Sequence, residues 1–151
     1  MSVLCEHAID IGWMSDNPAK GVRRIKTPDA KKRTHVPWPD WAVEKWRAEA
    51  GETERLIFEL GVGSVQRPGD WGKFRWNDFD GDSLRIVQGK TGKALHLPCT
   101  ETLKVALNNA PKRGLTILTL TDGRPLPYRR MAELMLAERE RLGLLDYDLH
   151  A

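Results

Sequence analysis

No run of apolar residues in this chain approaches the roughly 20 that a membrane-spanning helix needs, and its N-terminus has no basic stretch leading into an apolar one. A membrane span and a secretory leader are therefore not expected, and a cytoplasmic protein is. Cysteine is nearly missing, with only Cys5 and Cys99 in 151 residues. They stand far apart, with no CxxC pair and no histidine pair nearby, so neither a disulfide framework nor a zinc site is suggested and both read as ordinary thiols. There is no GxSxG turn, no HExxH helix and no Walker loop, and no carboxylate pair stands out. The common signatures of hydrolases, metalloproteases and nucleotide hydrolases are thus lacking. Internal repeats and low-complexity tracts are lacking too.

What remains is cationic and largely helical. An apolar content of 40% and a charged content of 30% suit one globular domain with a small appendage. The formal net charge of +3 conceals a local excess, because Lys20, Arg23, Arg24, Lys26, Lys31, Lys32 and Arg33 face only Asp29 in the same stretch. The rest of the chain is net negative. Such a strap is a candidate for contacting phosphates, although a solvated linker has the same composition.

Leu4, Ala8 and Ile11 recur at helical spacing, and Gly12 is the expected stop. Ser15 to Pro18 reads as a turn, followed by an extended strap to about Val36 and a domain boundary there. Trp38, Trp41, Ala42 and Trp46 mark a helix with Pro39 and Asp40 at its start. Residues 52–62 form a second, more apolar helix, and a short helical turn is expected near Asp70. The clearest β signal is a hairpin, with strands over 83–87 and 94–97 around Gln88-Gly89-Lys90-Thr91-Gly92-Lys93. Leu103, Ala106, Leu107 and Ala110 give another helix. Residues 115–120 are a short strand or a buried loop. Met131, Leu134, Met135 and Leu142 lie on one face of the last helix, which Gly143 ends. The fold class is α+β, mostly α, with one small antiparallel sheet. Six tryptophans could stack on bases, but aromatics at helical spacing are more often core.

Four segments together resemble the tyrosine recombinase, or phage integrase, family. Ala8 to Trp13 with Asn17-Pro18-Ala19 is similar to the last helix and exit of the core-binding domain. Gln66-Arg67-Pro68-Gly69-Asp70, followed by Phe74-Arg75-Trp76, is similar to the box that carries the first catalytic arginine. Gln88 to Lys93, followed by Leu97-Pro98, is similar to the hairpin that carries the catalytic lysine. Leu149-His150-Ala151 is similar to the first half of the HxxR box. The resemblance implies the end of a core-binding domain over 1–25, a basic linker over 26–36, and the first part of a helical catalytic domain over 37–151.

It also implies chemistry. A phosphodiester attacked by a phenolic oxygen gathers charge on its non-bridging oxygens, which the planar guanidinium of Arg67 would hold. The leaving sugar oxygen needs a proton, and Lys90 and His150 are implied as its general acids. A tyrosine nucleophile would conserve the bond energy in a phosphotyrosyl intermediate, so no cofactor is implied. The implied partner is double-stranded DNA, with homo-oligomers forming on it.

Two departures stand out. Ser64-Val65 replaces the usual Thr-Gly, and Gly72 stands where a helix former is usual, so a looser presentation of Arg67 is expected. The sequence stops before the second arginine of HxxR and before the nucleophilic tyrosine, and Tyr128 and Tyr147 precede that box. The expectation is a chain that handles DNA without cutting it alone. The alternatives are a non-catalytic DNA-binding module and a gene remnant. Apolar surface is further expected to lie bare around Leu56 to Leu60 and Met131 to Leu142.

Overall fold

The computed structural model describes residues 2–23, 25–26, 28 and 36–148. It divides into two compact units, Met1–Thr34 and His35–Ala151. The first holds helix α1 (Ser2–Asp10), which buries none of its residues. Gly12 ends it with φ +76°, a left-handed conformation that costs a glycine little. Asn17 then pins the exit back onto the helix. Its side-chain amide donates to the Ser2 carbonyl at 3.2 Å and to the Glu6 carboxylate, and its Oδ1 accepts from the Ala19 N–H at 2.9 Å. Lys20, Arg23 and Lys26 lie exposed beyond this turn, outside any helix or strand. Arg24, Lys31, Lys32 and Arg33 lie outside the described residues.

The second unit is built around helix α3 (Glu52–Ser64), which buries Leu56, Ile57, Phe58 and Leu60. Its neighbours are α2 (Asp40–Glu49), the short α4 (Pro68–Trp71), α5 (Glu101–Asn109) and α6 (Tyr128–Leu142). Two glycines allow that packing to close. A Cβ on Gly61 would come within 2.7 Å of the Trp71 ring, and one on Gly63 within 2.8 Å of a Leu103 methyl. Helix α5 starts two residues before the first apolar position of its spacing, because the Thr100 hydroxyl accepts from the Leu103 N–H at 3.3 Å and caps it. Gly143, at φ +71°, ends α6 as expected.

Strands β1 (Ser83–Val87) and β2 (Ala94–Pro98) pair antiparallel, with Leu84 opposite Leu97 and Ile86 opposite Leu95. Their alternation buries Leu84 and Ile86 and leaves Arg85 and Val87 exposed. The segment over 115–120 is a loop, buried at Thr116, Ile117 and Leu118 and exposed at Leu115. Only isolated bridges, Arg75 to Thr116 and Thr119 to Pro125, hold it, while Ile117 and Leu118 fill the core. Among the described residues the protein has six α-helices and one two-stranded sheet, the mostly helical α+β class expected. No described helix is long and apolar enough to cross a membrane.

The bare apolar surface expected on α3 and α6 is found only in part. Leu56, Ile57, Phe58, Leu60, Met131, Met135 and Leu142 are all buried within the unit's own core, whereas Leu136 on α6 is 50% exposed. The tryptophans divide. Trp46 and Trp71 are buried and Trp38 and Trp76 packed against the core, whereas Trp13 and Trp41 are exposed.

Candidate functional site

The turn that presents Arg67 begins where α3 stops. The Ser64 hydroxyl turns back onto the Leu60 carbonyl and also receives the Gln66 N–H at 3.3 Å. Val65 follows at φ +51°, the one non-glycine residue with positive φ among those described. This is the position where the resembled family carries glycine. The chain has therefore kept the left-handed turn and placed a β-branched residue in it, at a cost of about 1–2 kcal/mol. Val65→Gly should raise stability by about 1 kcal/mol once glycine's larger unfolded-state entropy is deducted. A higher urea midpoint at unchanged slope is the expected reading, and an unchanged or lower midpoint would count against strain at Val65.

Beyond Val65 the turn is firmly tied. The Trp71 indole N–H donates to the Gln66 carbonyl at 2.9 Å, and the Asp70 N–H closes onto the Arg67 carbonyl at 2.8 Å. Arg67 occupies the N-cap position of α4 in extended conformation, so its side chain leaves the helix. It is exposed and makes no hydrogen bond or ion pair among the described residues. Gly72, at the other end of α4, sits where a Cβ would come 3.2 Å from the Leu126 carbonyl. Close backbone approach explains the absence of a helix former there.

Lys90 lies at the exposed tip of the β1–β2 hairpin, likewise without a partner among the described residues. Gln88 N–H to Lys93 carbonyl at 2.9 Å and Gly92 N–H to Gln88 carbonyl at 2.8 Å close its loop. Two further bonds bring this loop to the Arg67 turn. The buried carboxylate of Asp70 accepts the Gly89 N–H at 3.0 Å, and the Gln88 amide donates to Gln66 Oε1 at 2.8 Å. Lys73 reaches the same Asp70 oxygen at 3.5 Å. Gly89 is required here, because a Cβ would run into Asp70 Oδ1. The structure thus joins the segments of Arg67 and Lys90 and leaves both cations free.

Arg67 also lines a cleft of about 610 Å³ with Trp38, Phe58, Val62, Trp71 and Asp148. The chain is held at that cleft by Trp38, whose indole N–H donates to the Asp148 carbonyl at 2.9 Å, and by Arg139, whose guanidinium donates to the Tyr147 carbonyl. Burial pushes the pKa of Arg139 down, while the charge of Asp148 opposes that shift. The Tyr147 ring packs against Trp38 and Trp41, with centroids 5.6 and 6.0 Å away. His150, the third residue implied by resemblance, lies outside the described residues. The sequence reading missed Asp70, Gln66 and Gln88. Their signal is long-range, a buried carboxylate and two amides whose partners lie about twenty positions away. Among the described residues no cluster of histidine, cysteine and carboxylate groups could hold a metal ion.

No family model matches the chain. The integrase of Escherichia phage HK022 is 30% identical over 112 residues, which cover 67% of this chain and 28% of that protein. The integrase of Enterobacteria phage 434 is 26% identical over 147 residues, covering 91% and 41%. A lambda integrase tetramer bound to a Holliday junction matches with a TM-score of 0.70 at 26% identity, over 95% of this chain and 45% of that one. The fold is that of the tyrosine recombinases. Within that class the chain is a relative of the phage integrases, and it spans less than half the length of the relatives named here.

Proposed function

We propose that this chain grips duplex DNA at a phosphate destined for strand exchange, as part of a site-specific recombinase that breaks and rejoins DNA through a phosphotyrosyl intermediate. The observation that carries the reading is the pair of cations, Arg67 and Lys90, unpartnered among the described residues, on two loops that hydrogen bonds tie together. In this reading Arg67 clamps the non-bridging oxygens, and Lys90 delivers a proton to the leaving sugar oxygen, assisted by His150. The basic strap of Lys20, Arg23, Arg24, Lys26, Lys31, Lys32 and Arg33 follows the phosphate backbone. Residues 1–25 are the end of a core-binding domain, 26–36 a linker and 37–151 part of the catalytic domain. The protein works in the cytoplasm, as an oligomer on DNA and without a cofactor.

Neither tyrosine in these 151 residues is assigned the nucleophile's role. Tyr147 is packed against two tryptophans, and Tyr128 opens α6. The 151-residue polypeptide is expected to bind DNA and not to cleave it. Titrating a short duplex at several salt concentrations tests this. If four to six strap cations meet phosphates, log Kd should vary with log salt with a slope of magnitude about 4 to 5, each neutralised phosphate contributing about 0.9. Arg67→Ala should remove about one contact's worth, and a nicked suicide substrate should give no denaturation-resistant adduct. Absence of binding even at low salt would defeat the proposal. An adduct would show that Tyr128 or Tyr147 attacks.

A further inference from the structure

Gln66 and Gln88 do more than touch. Gln66 Nε2 donates to the Ser64 carbonyl at 3.0 Å, which leaves its Oε1 to accept from Gln88 Nε2 at 2.8 Å. That donation in turn leaves Gln88 Oε1 to accept the Thr91 hydroxyl at 2.7 Å. An amide carries its acceptor and its donors on opposite atoms, so once one end is committed the polarity of the whole series is set. The series begins at the buried end of α3 and finishes at Thr91, beside Lys90. Together Gln88 and Thr91 bracket the lysine.

We propose that Gln66 and Gln88 are positioning residues, whose one-way relay of amides to Thr91 holds the Lys90 loop in register with the Arg67 turn. The proposal rests on the reading of Arg67 and Lys90 as groups that address one phosphate. The loop's internal shape does not depend on the relay, since the Gln88–Lys93 and Gly92–Gln88 backbone bonds close it. Its root does not depend on it either, because Asp70 holds the Gly89 N–H. What the relay adds is a second point of attachment, and two points define an orientation where one leaves a pivot. The Gln66–Ser64 and Gln88–Gln66 bonds are partly screened from solvent, so a mismatched partner there leaves a polar group facing another of like sign.

The polarity supplies the test. Glutamate at position 66 gives up the bond to the Ser64 carbonyl but still offers an oxygen to the Gln88 N–H, so the bond between the two loops survives, whereas glutamate at position 88 turns an oxygen toward the Gln66 oxygen and that bond is lost. Both variants add one negative charge at neighbouring points, so each controls for the other's electrostatic cost against DNA. The measurement is duplex Kd for Arg67→Ala, Lys90→Ala and the double variant, in the unmodified chain and in Gln66→Glu and Gln88→Glu backgrounds. Two groups on one phosphate should show a non-additivity of about fivefold in the unmodified chain, within the range for residues in one network. Gln66→Glu should retain it, and Gln88→Glu should reduce it to within twofold.

Amide hydrogen exchange at Gly89, whose N–H is the other bond between the two loops, measured without DNA, should quicken in Gln88→Glu and hold in Gln66→Glu, at similar melting temperatures. Equal behaviour of the two variants in coupling and in exchange would overturn the relay. If Gln88→Glu melts markedly lower, the uncharged Gln88→Met takes its place, and it should show the same loss of coupling and the same faster exchange. Unchanged values in Gln88→Met would overturn the proposal. A chain that binds no duplex at low salt defeats the phosphate reading instead, and the exchange comparison then decides the relay by itself.

Discussion

Replacing Arg47 with alanine should destabilise the second unit by about 3 kcal/mol, within the range expected when one partner of a buried pair is removed. Glu59 points from α3 into the protein with only 6% of its side chain exposed, and its carboxylate is met by Arg47 Nε at 2.6 Å and Nη2 at 3.2 Å. The same guanidinium reaches the Thr102 hydroxyl at 3.5 Å, and the Arg47 carbonyl accepts from Arg55 at 3.3 Å. Accepting side-chain hydrogen bonds from Arg47 is also what raises that arginine's pKa. Alanine would strand a carboxylate in a place water reaches poorly. The 38% exposure of Arg47 keeps the expected loss near the lower end, because some solvent can enter. Urea unfolding provides the measurement. The joint replacement Arg47→Met with Glu59→Leu should recover most of the loss, because the cost is that of an uncompensated charge. A single substitution that costs nothing would show that Glu59 escapes to solvent.

Changing Arg23, Arg24, Lys31 and Lys32 together to alanine should flatten the salt dependence of duplex binding. With four to six phosphate contacts in the unmodified chain, raising salt from about 50 to about 200 mM should weaken binding roughly 150- to 1,800-fold. Lys20, Lys26 and Arg33 remain, so at most about three contacts survive, and the same salt step then weakens binding by about 40-fold or less. At about 0.1 M salt the affinities themselves should differ on the order of a thousandfold, if the two lines meet near 1 M. The fold of the second unit should be untouched, since Arg23 is exposed in the first unit and all four substitutions lie before His35. A variant that keeps the parent's slope would move the phosphate contacts elsewhere on the chain.

The elements that can be read from the sequence are those whose signal is local. The apolar spacing of α3, the two glycines of the hairpin and Gly143 after α6 each act within a turn or two of the chain, and each element stands where its residues place it. The loop over 115–120 carries no such local signal. Ile117 and Leu118 are inside because the Phe74 carbonyl and the Leu126 N–H bond their backbone from other segments, at 2.8 and 3.0 Å, while Leu115 stays exposed. The candidate site divides the same way. Arg67 and Lys90 stand out through the residues around them, whereas the docking of their loops depends on Asp70 and Gln66, whose partners lie across a helix, a turn and a strand. Val65 is the instructive case. Its replacement of glycine is visible in the sequence and suggests a loosened turn, yet the Ser64 hydroxyl and the Trp71 indole hold the same turn closed around the strained residue.

The attachment of Gly89 to Asp70 also bears on how the hairpin can lengthen over evolutionary time. The loop is closed at its neck between Gln88 and Lys93 and rooted one residue further on, so Lys90 sits immediately beyond the root on its β1 side. Residues inserted after Lys90 would enlarge the exposed arc through Thr91 and Gly92 without shifting that root. Doubling such an arc costs only about 0.6 kcal/mol of closure entropy. Insertion before Gly89 would instead carry the backbone N–H away from the carboxylate. Related hairpins can therefore differ widely in length on the far side of the lysine, while the two residues before it must keep their count.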